Sequence, residues 1–147
     1  MREYLRAAEE RDMELLFLWA NESQVRRNSF STKEILYEEH QKWFSDFLKR
    51  EDCRQYIYMQ DDDAVGQIRI TKYGEEAEIG YSIRADKRGL GHGKKILQLV
   101  CEKVSQDLPE IKKLTAKVKP NNEVSQRAFI KTGFEKKYEV FEITVKN

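Results

Sequence analysis

The residues Arg88-Gly89-Leu90-Gly91-His92-Gly93-Lys94 put three glycines into five positions, between an alternating apolar stretch and a helical run. Glycine carries the largest backbone entropy cost on ordering, so three in one short loop answer a steric or conformational demand. Without Cβ atoms, main-chain amides there approach a ligand closely. The helix that starts behind them adds unpaired N–H groups and the positive end of its dipole. That combination suits a phosphate or pyrophosphate. The competing reading is a glycine-rich turn with no ligand.

Spacing narrows the choice. A Walker loop needs four residues between its first glycine and Gly-Lys, then Ser or Thr. Here Gly89 and Gly93 enclose three, and Lys95 follows Lys94. A dinucleotide fingerprint from Gly89 would need its third glycine where Lys94 stands, and an acidic residue about 20 positions on that is missing. Neither common nucleotide loop fits.

A second constellation lies downstream, from Val118 to Phe134. Pro120-Asn121-Asn122 ends a strand and caps a helix, Ala128 and Phe129 give that helix an apolar face, and Gly133 stops it. Taken alone, this is an ordinary strand-turn-helix-turn-strand.

The elements that must position these motifs alternate along the chain. Tyr4 to Ala8 reads as a strand and Glu9 to Ala20 as a helix with Met13, Leu16, Phe17 and Ala20 at helical spacing. Ser31 and Glu34 are expected to form a capping box for a second helix carrying Ile35, Leu36, Trp43, Phe44, Phe47 and Leu48. Arg54 to Gln60 and Ala64 to Lys72 read as strands, joined through Asp61-Asp62-Asp63. Glu76 to Ile83 is a strand that feeds the glycine loop. A third helix follows, with Ile96, Leu97, Val100, Cys101 and Val104 inward, broken at Leu108-Pro109-Glu110. Lys113 to Val118 is a strand, the second constellation supplies the fourth helix, and Lys136 to Lys146 reads as two short strands or one bulged strand. The order βααβββαβαβ(β) places the chain in the α/β class.

At 147 residues the chain is expected to form a single domain, residues 1–147, large enough to bury a core. Charged residues at 36% beside 39% hydrophobic ones indicate a globular protein rather than a disordered one. A net charge of +1 gives no global attraction to nucleic acid or membrane, so an acidic ligand must be held locally. Cys53 and Cys101 stand far apart with no neighbouring His, which suggests neither a metal site nor a disulfide. No signal segment or apolar run of about 18 residues is seen, so a cytoplasmic location is expected.

Arg-x-x-Gly-x-Gly at Arg88, followed by the Val118 to Phe134 stretch, resembles the two coenzyme A motifs of the GNAT N-acetyltransferase superfamily. The resemblance implies the GNAT fold, a mixed sheet with helices on both faces, and an N-acetyltransferase with acetyl-CoA as donor. It implies main-chain contacts from Ile83 to the pantetheine arm, in a wedge where two parallel strands splay. It further implies a pyrophosphate cradle of Arg88, Gly89, Leu90, Gly91, His92, Gly93 and Lys94, with Asn122, Ser125 and Phe129 along the cofactor. Arg88 and Lys94 are expected to add charge-assisted bonds. For His92, solvent exposure is the competing reading.

The chemistry implied is direct attack of a neutral amine on the thioester, which requires removal of a proton from an ammonium. Many relatives carry a tyrosine where this chain has Phe129, and some carry a basic glutamate on the strand that here reads Ala116-Lys117-Val118. The remaining base candidate is Glu78, acting directly or through water, against the reading of a strand residue that faces solvent or pairs with a lysine. Tyr81 and Tyr138 are candidate substitutes for the acid.

The N-terminal third is expected to select the acceptor. Together with Gly66-Gln67-Ile68-Arg69 and Ala77 to Ile83, its stretches Val25 to Phe30 and Ile35 to His40 resemble the UDP-4-amino-sugar N-acetyltransferases of the pseudaminic acid pathway. That implies a nucleotide-linked amino sugar as acceptor. Arg26, Arg27 and Arg69 are candidates for its diphosphate, and Phe30, His40 and Trp43 for its flat faces. Core packing competes for Phe30 and Trp43, a solvated surface for Arg26 and Arg27, and a structural role for His40. Two alternatives remain open: an acetyltransferase of protein N-termini, of the ribosomal-protein type, and a noncatalytic acyl-CoA sensor. The protein is read as a monomer or homodimer acting on a small-molecule amine.

Overall fold

The computed structural model describes residues 1–145. Five strands form one sheet in the order β1-β2-β3-β4-β5: Glu3–Ala7, Cys53–Gln60, Asp63–Tyr73, Glu76–Ile83 and Lys113–Thr115. The first four pair antiparallel, β2 to β3 and β3 to β4 through tight turns and β1 to β2 across the segment that holds the first helices, and β5 joins β4 in parallel after a helical crossover. β4 has the boundaries its alternation predicts. β5 is shorter than predicted, ending at Thr115 rather than Val118.

Alternation sends Ile68 and Ile70 of β3 and Ala77, Ile79 and Ile83 of β4 to one face, and a register shift opposite Tyr58 and Met59 brings Val65 to it as well. There they meet Ile96, Leu97, Val100 and Val104 of α4 (His92–Asp107) and Phe129 of α5 (Glu123–Thr132). The opposite face buries Ile57 and Met59 against Leu16 of α1 (Met13–Ala20) and Phe44 of α3 (Tyr37–Lys49). Helices thus cover both faces of a mixed sheet.

Four local expectations are corrected. A short helix α2 (Ser23–Asn28) stands where a polar turn is predicted, because the Glu22 side chain caps it by accepting from Gln24 N and Val25 N, each at 3.2 Å. Ser31 and Glu34 form no capping box: α3 begins at Tyr37, with Leu36 in the N-cap position, so Ile35 and Leu36 precede the helix. Cys101 is exposed rather than inward, one helical step from Val100 at the margin of the apolar stripe. The tail, expected as strand, forms none among the described residues 134–145. β5 offers an edge of only three residues, and Tyr138, Val140, Phe141, Ile143 and Val145 are 77–90% exposed. Lys146, the end of that expected strand, lies outside the described residues. Among these residues no helix is long and apolar enough to cross a membrane.

Candidate active site

The parallel pairing of β4 with β5 ends at Glu78↔Thr115, while β4 continues to Ile83 hydrogen-bonded only to β3. From Ile79 onward its other edge has no strand beside it among the described residues. The strand's alternation gives this opening two sides. Ala77, Ile79, Tyr81 and Ile83 face α4 and α5, and Glu78, Gly80 and Ser82 face α1 to α3.

The glycine loop lies at the far end of β4. Gly89 and Gly91 take φ of +76° and +85°, conformations that favour glycine, and Gly91 is the N-cap of α4. A Cβ at either would meet nothing within 4 Å, so the space above them is open to a ligand. The first backbone bond into the helix runs from Lys95 N to Gly91 O, which leaves the amides of His92, Gly93 and Lys94 without a helical acceptor. Gly93 serves packing instead, since a Cβ there would sit 3.0 Å from Tyr81 Oη and 3.3 Å from Ala128 Cβ. It permits α4 to close on Tyr81 and α5. Leu90 and Lys94 are exposed beside the cradle.

Two loop residues do not point where the motif implies. The Arg88 guanidinium turns back under the loop. Its Nη1 and Nη2 donate to the Glu22 carboxylate at 3.0 and 2.8 Å, Nη1 also to Gln24 Oε1 at 3.0 Å, and Nε to the Ile83 carbonyl at 3.1 Å. Its charge is spent on protein groups rather than offered to a pyrophosphate, and it holds Glu22 at a pKa of about 2. The carbonyl of Ile83, expected to meet the pantetheine arm, already accepts from Arg88. His92 is half-buried, its Nδ1 lying 3.2 Å from Tyr58 Oη and 3.3 Å from Gln60 Nε2. Neither solvent exposure nor an outward ring describes it.

On the α5 side Asn122 Oδ1 caps the helix by accepting from Ser125 N at 3.2 Å, and Ser125 Oγ donates to Tyr81 Oη at 3.3 Å. Phe129 is buried and meets Tyr81 edge-on at 5.7 Å. Burial pushes the Tyr81 hydroxyl's pKa up, so it stays protonated at neutral pH.

On the opposite face a chain of amides crosses the sheet: Gln55 Nε2 donates to Gln67 Oε1 at 2.9 Å and Gln67 Nε2 to Ser82 Oγ at 3.0 Å. Arg69, which pairs with Gln55 on one side and Gly80 on the other, holds its guanidinium 5.3 Å from the Trp43 ring centre. Among the described residues no carboxylate pairs with it. Gln55 Oε1 and His40 Nε2 are buried without hydrogen-bond partners. His40 stacks on Phe44 at 6.1 Å, and burial, with the nearby Arg69 charge, lowers its pKa. The imidazole is held neutral.

Residues 2–135 match the family described as the acetyltransferase (GNAT) domain. The chain belongs to that family. Solved structures agree on the GNAT fold. Spermidine N-acetyltransferase from Vibrio cholerae, in complex with CoA and spermine, superposes with a TM-score of 0.85 at 15% identity, covering 99% of this chain and 88% of that one. The aminoglycoside acetyltransferase AAC(6')-Ib, in complex with coenzyme A and kanamycin, gives 0.80 at 22%, covering 92% and 86%. A domain from Methanocaldococcus jannaschii gives 0.82 at 24%, covering 96% and 93%. No curated protein matches the sequence.

Within this GNAT domain the sequence-derived candidates divide clearly. Glu78 sits at the last paired position before β4 and β5 part, with Lys117 Nζ 3.8 Å from its carboxylate. The lysine pairing and the position beside the opening are both present. Tyr81 lies at the opening on the other face. Tyr138, in the unpaired tail, is 77% exposed. Arg26 donates to the carbonyls of Ala20, Ser31 and Lys33 and to Ser29 Oγ, so it scaffolds its own segment instead of facing solvent or a diphosphate. Arg27 is exposed. Phe30 at 70% and Trp43 at 38% exposure are not core residues.

Glu22, Gln24, Gln55, Gln67 and Ser82 were not singled out by sequence reasoning. Gln55 carried a usable signal, being a polar residue in an otherwise apolar strand register. Glu22 carried none, because its partner is 66 positions away.

Proposed function

We propose that this GNAT domain transfers the acetyl group of acetyl-CoA to the primary amine of a small molecule that carries an anionic group, best met by the 4-amino group of a nucleotide-linked amino sugar. The observation that carries the reading is Arg69, a cation with no carboxylate partner among the described residues, set over Trp43 on the sheet face where the β4 opening emerges. Such a cation invites a phosphate, and the half-exposed ring beside it a sugar or base. The relatives solved with spermine and with kanamycin support an amine acceptor of small size.

The donor fits the opposite side. Open space above Gly89 and Gly91, with the free amides of His92, Gly93 and Lys94, suits a pyrophosphate, and the exposed Lys94 adds the charge that Arg88 does not. Asn122 keeps its Nδ2 for a ligand while Oδ1 caps the helix. Acetyl-CoA supplies an activated acyl group and a thiolate leaving group. Main-chain N–H groups on the free edge of β4 stabilise the charge that develops on the carbonyl oxygen. Glu78, on the acceptor face, takes the proton from the incoming ammonium directly or through water. Tyr81, on the donor face and tied to Ser125, returns one to the departing thiolate. Donor and acceptor thus approach from opposite faces, and their alignment in the opening supplies much of the rate.

The reading is tested by thiol release from acetyl-CoA against UDP-linked 4-amino sugars, free amino sugars, polyamines and short peptides. Turnover with the UDP sugar that UDP suppresses and Arg69→Ala weakens is the expected result. Peptide turnover indifferent to UDP would assign the domain to protein N-termini. Binding of coenzyme A without turnover on any amine would make it a sensor.

A further inference from the structure

The stretch 21–36, between α1 and α3, is stitched to itself. Asn21 Nδ2 donates to the Ile35 carbonyl and Asn21 Oδ1 accepts from Ile35 N, both at 2.7 Å. Arg26 gathers the carbonyls of Ala20, Ser31 and Lys33 at 2.7–3.2 Å, and Ser29 Oγ also donates to Val25 O at 2.6 Å. With its ends and middle joined this way, the segment responds as a unit. It reaches the donor side at two places. Lys119 Nζ donates to the Arg27 carbonyl at 2.9 Å, and Arg88 grips Glu22 and Gln24.

The second grip is the informative one. Arg88 opens the glycine loop and bonds the last carbonyl of β4, while Glu22 is the residue that caps α2. One ion pair therefore spans from the donor cradle to the first turn of the acceptor-side helix. Both partners are about three-quarters buried, so solvent screens the pair only in part. A two-point Arg–carboxylate fork fixes orientation as well as distance.

We infer that Glu22 is a positioning residue that couples the two substrates: filling the glycine loop fixes Arg88, Arg88 fixes Glu22, and the segment 21–36 is thereby set for the acceptor. Donor and acceptor then bind with positive cooperativity, and by linkage each tightens the other equally. The inference rests on the reading that the loop holds acetyl-CoA.

Hydrogen exchange with coenzyme A as the only ligand tests it without knowledge of the acceptor. In the wild-type protein coenzyme A is expected to slow exchange at amides 89–95 and, about tenfold, at amides in 21–36. In Glu22→Gln, which keeps an oxygen for the α2 cap, the loop response remains and the response in 21–36 falls below roughly twofold. Arg88→Lys keeps the charge but loses the fork, and is expected to behave alike. Circular dichroism and melting confirm that both variants are folded. Simple destabilisation would raise exchange with and without ligand and leave the ligand-linked ratio intact. A wild-type loop response with none in 21–36, or a full response in both variants, overturns the coupling. No response in either region overturns the donor reading along with it.

Discussion

In the function proposed, the two faces of the sheet recognise their ligands by different means. On the α4–α5 face the groups proposed to meet the donor belong to the main chain: amides at a helix start, the free edge of β4, and glycines whose missing side chains make room. On the α1–α3 face they are side chains, Arg69 over Trp43 with Gln55, Gln67 and Ser82 behind. Main-chain recognition demands glycine at fixed spacing, which leaves a mark in sequence. Side-chain recognition needs only that a few residues be brought together.

Glu78→Gln should give the largest effect. Loss of the base lowers kcat by about 10³-fold while coenzyme A affinity, measured by calorimetry, stays within about twofold. A kcat within about threefold of wild type would show that water alone deprotonates the amine and that the Lys117 pairing is the whole role of Glu78. Gly93→Val presses on Tyr81 and Ala128, and is expected to weaken coenzyme A about 100-fold, or about 2.7 kcal/mol. Unchanged affinity would remove the close packing of α4 on Tyr81 from the account of the donor side.

Arg69→Ala probes the other face. It should raise KM for an anionic acceptor roughly tenfold, or about 1.4 kcal/mol, with KM for acetyl-CoA unaffected. An equal rise for an uncharged amine would mean that Arg69 supports Trp43 rather than binding an anion.

The smallest effects are on stability, from one group within the α1–α3 side and one that ties that side to the glycine loop. His40 has a folded pKa below 6.5, so as pH falls the unfolded chain takes up the proton first. Its contribution is complete above pH 6.5 and declines below it. Melting temperatures measured from roughly pH 7.5 to pH 5 should drop, and His40→Leu should flatten that slope. Glu22, lowered from 4.5 to about 2, keeps its contribution above pH 4.5 and loses it as pH falls towards 2. Arg88→Lys should remove most of that acid-side step.

How far the sequence could be read follows the same division. β4 was legible to the residue because its alternation is regular, with Ala77, Ile79 and Ile83 buried on one face while Glu76 and Gly80 are exposed. The glycine loop and the Asn122 cap were legible because their backbone conformations restrict residue type. The tail misled because alternation announces a strand only when a partner edge exists, and β5 supplies three residues. Arg88 misled for a related reason. Its place in the motif suggested a phosphate ligand, but a guanidinium binds whichever carboxylate the fold brings to it, and Glu22 arrives first.

The sequence by itself determined the bounds of β4, the left-handed glycines at Gly89 and Gly91 and the Asn122 cap, since each is set by periodicity or by a local backbone demand, and its two motifs carried the resemblance to the family. Only the tertiary structure decided that Arg88 and Arg26 are internal struts, that Arg69 lies over Trp43 with no carboxylate beside it among the described residues, and that β5 parts from β4 at Glu78 and leaves an opening that Tyr81 borders. Those outcomes depend on pairings between residues far apart in the chain, and no local preference specifies a partner that distant.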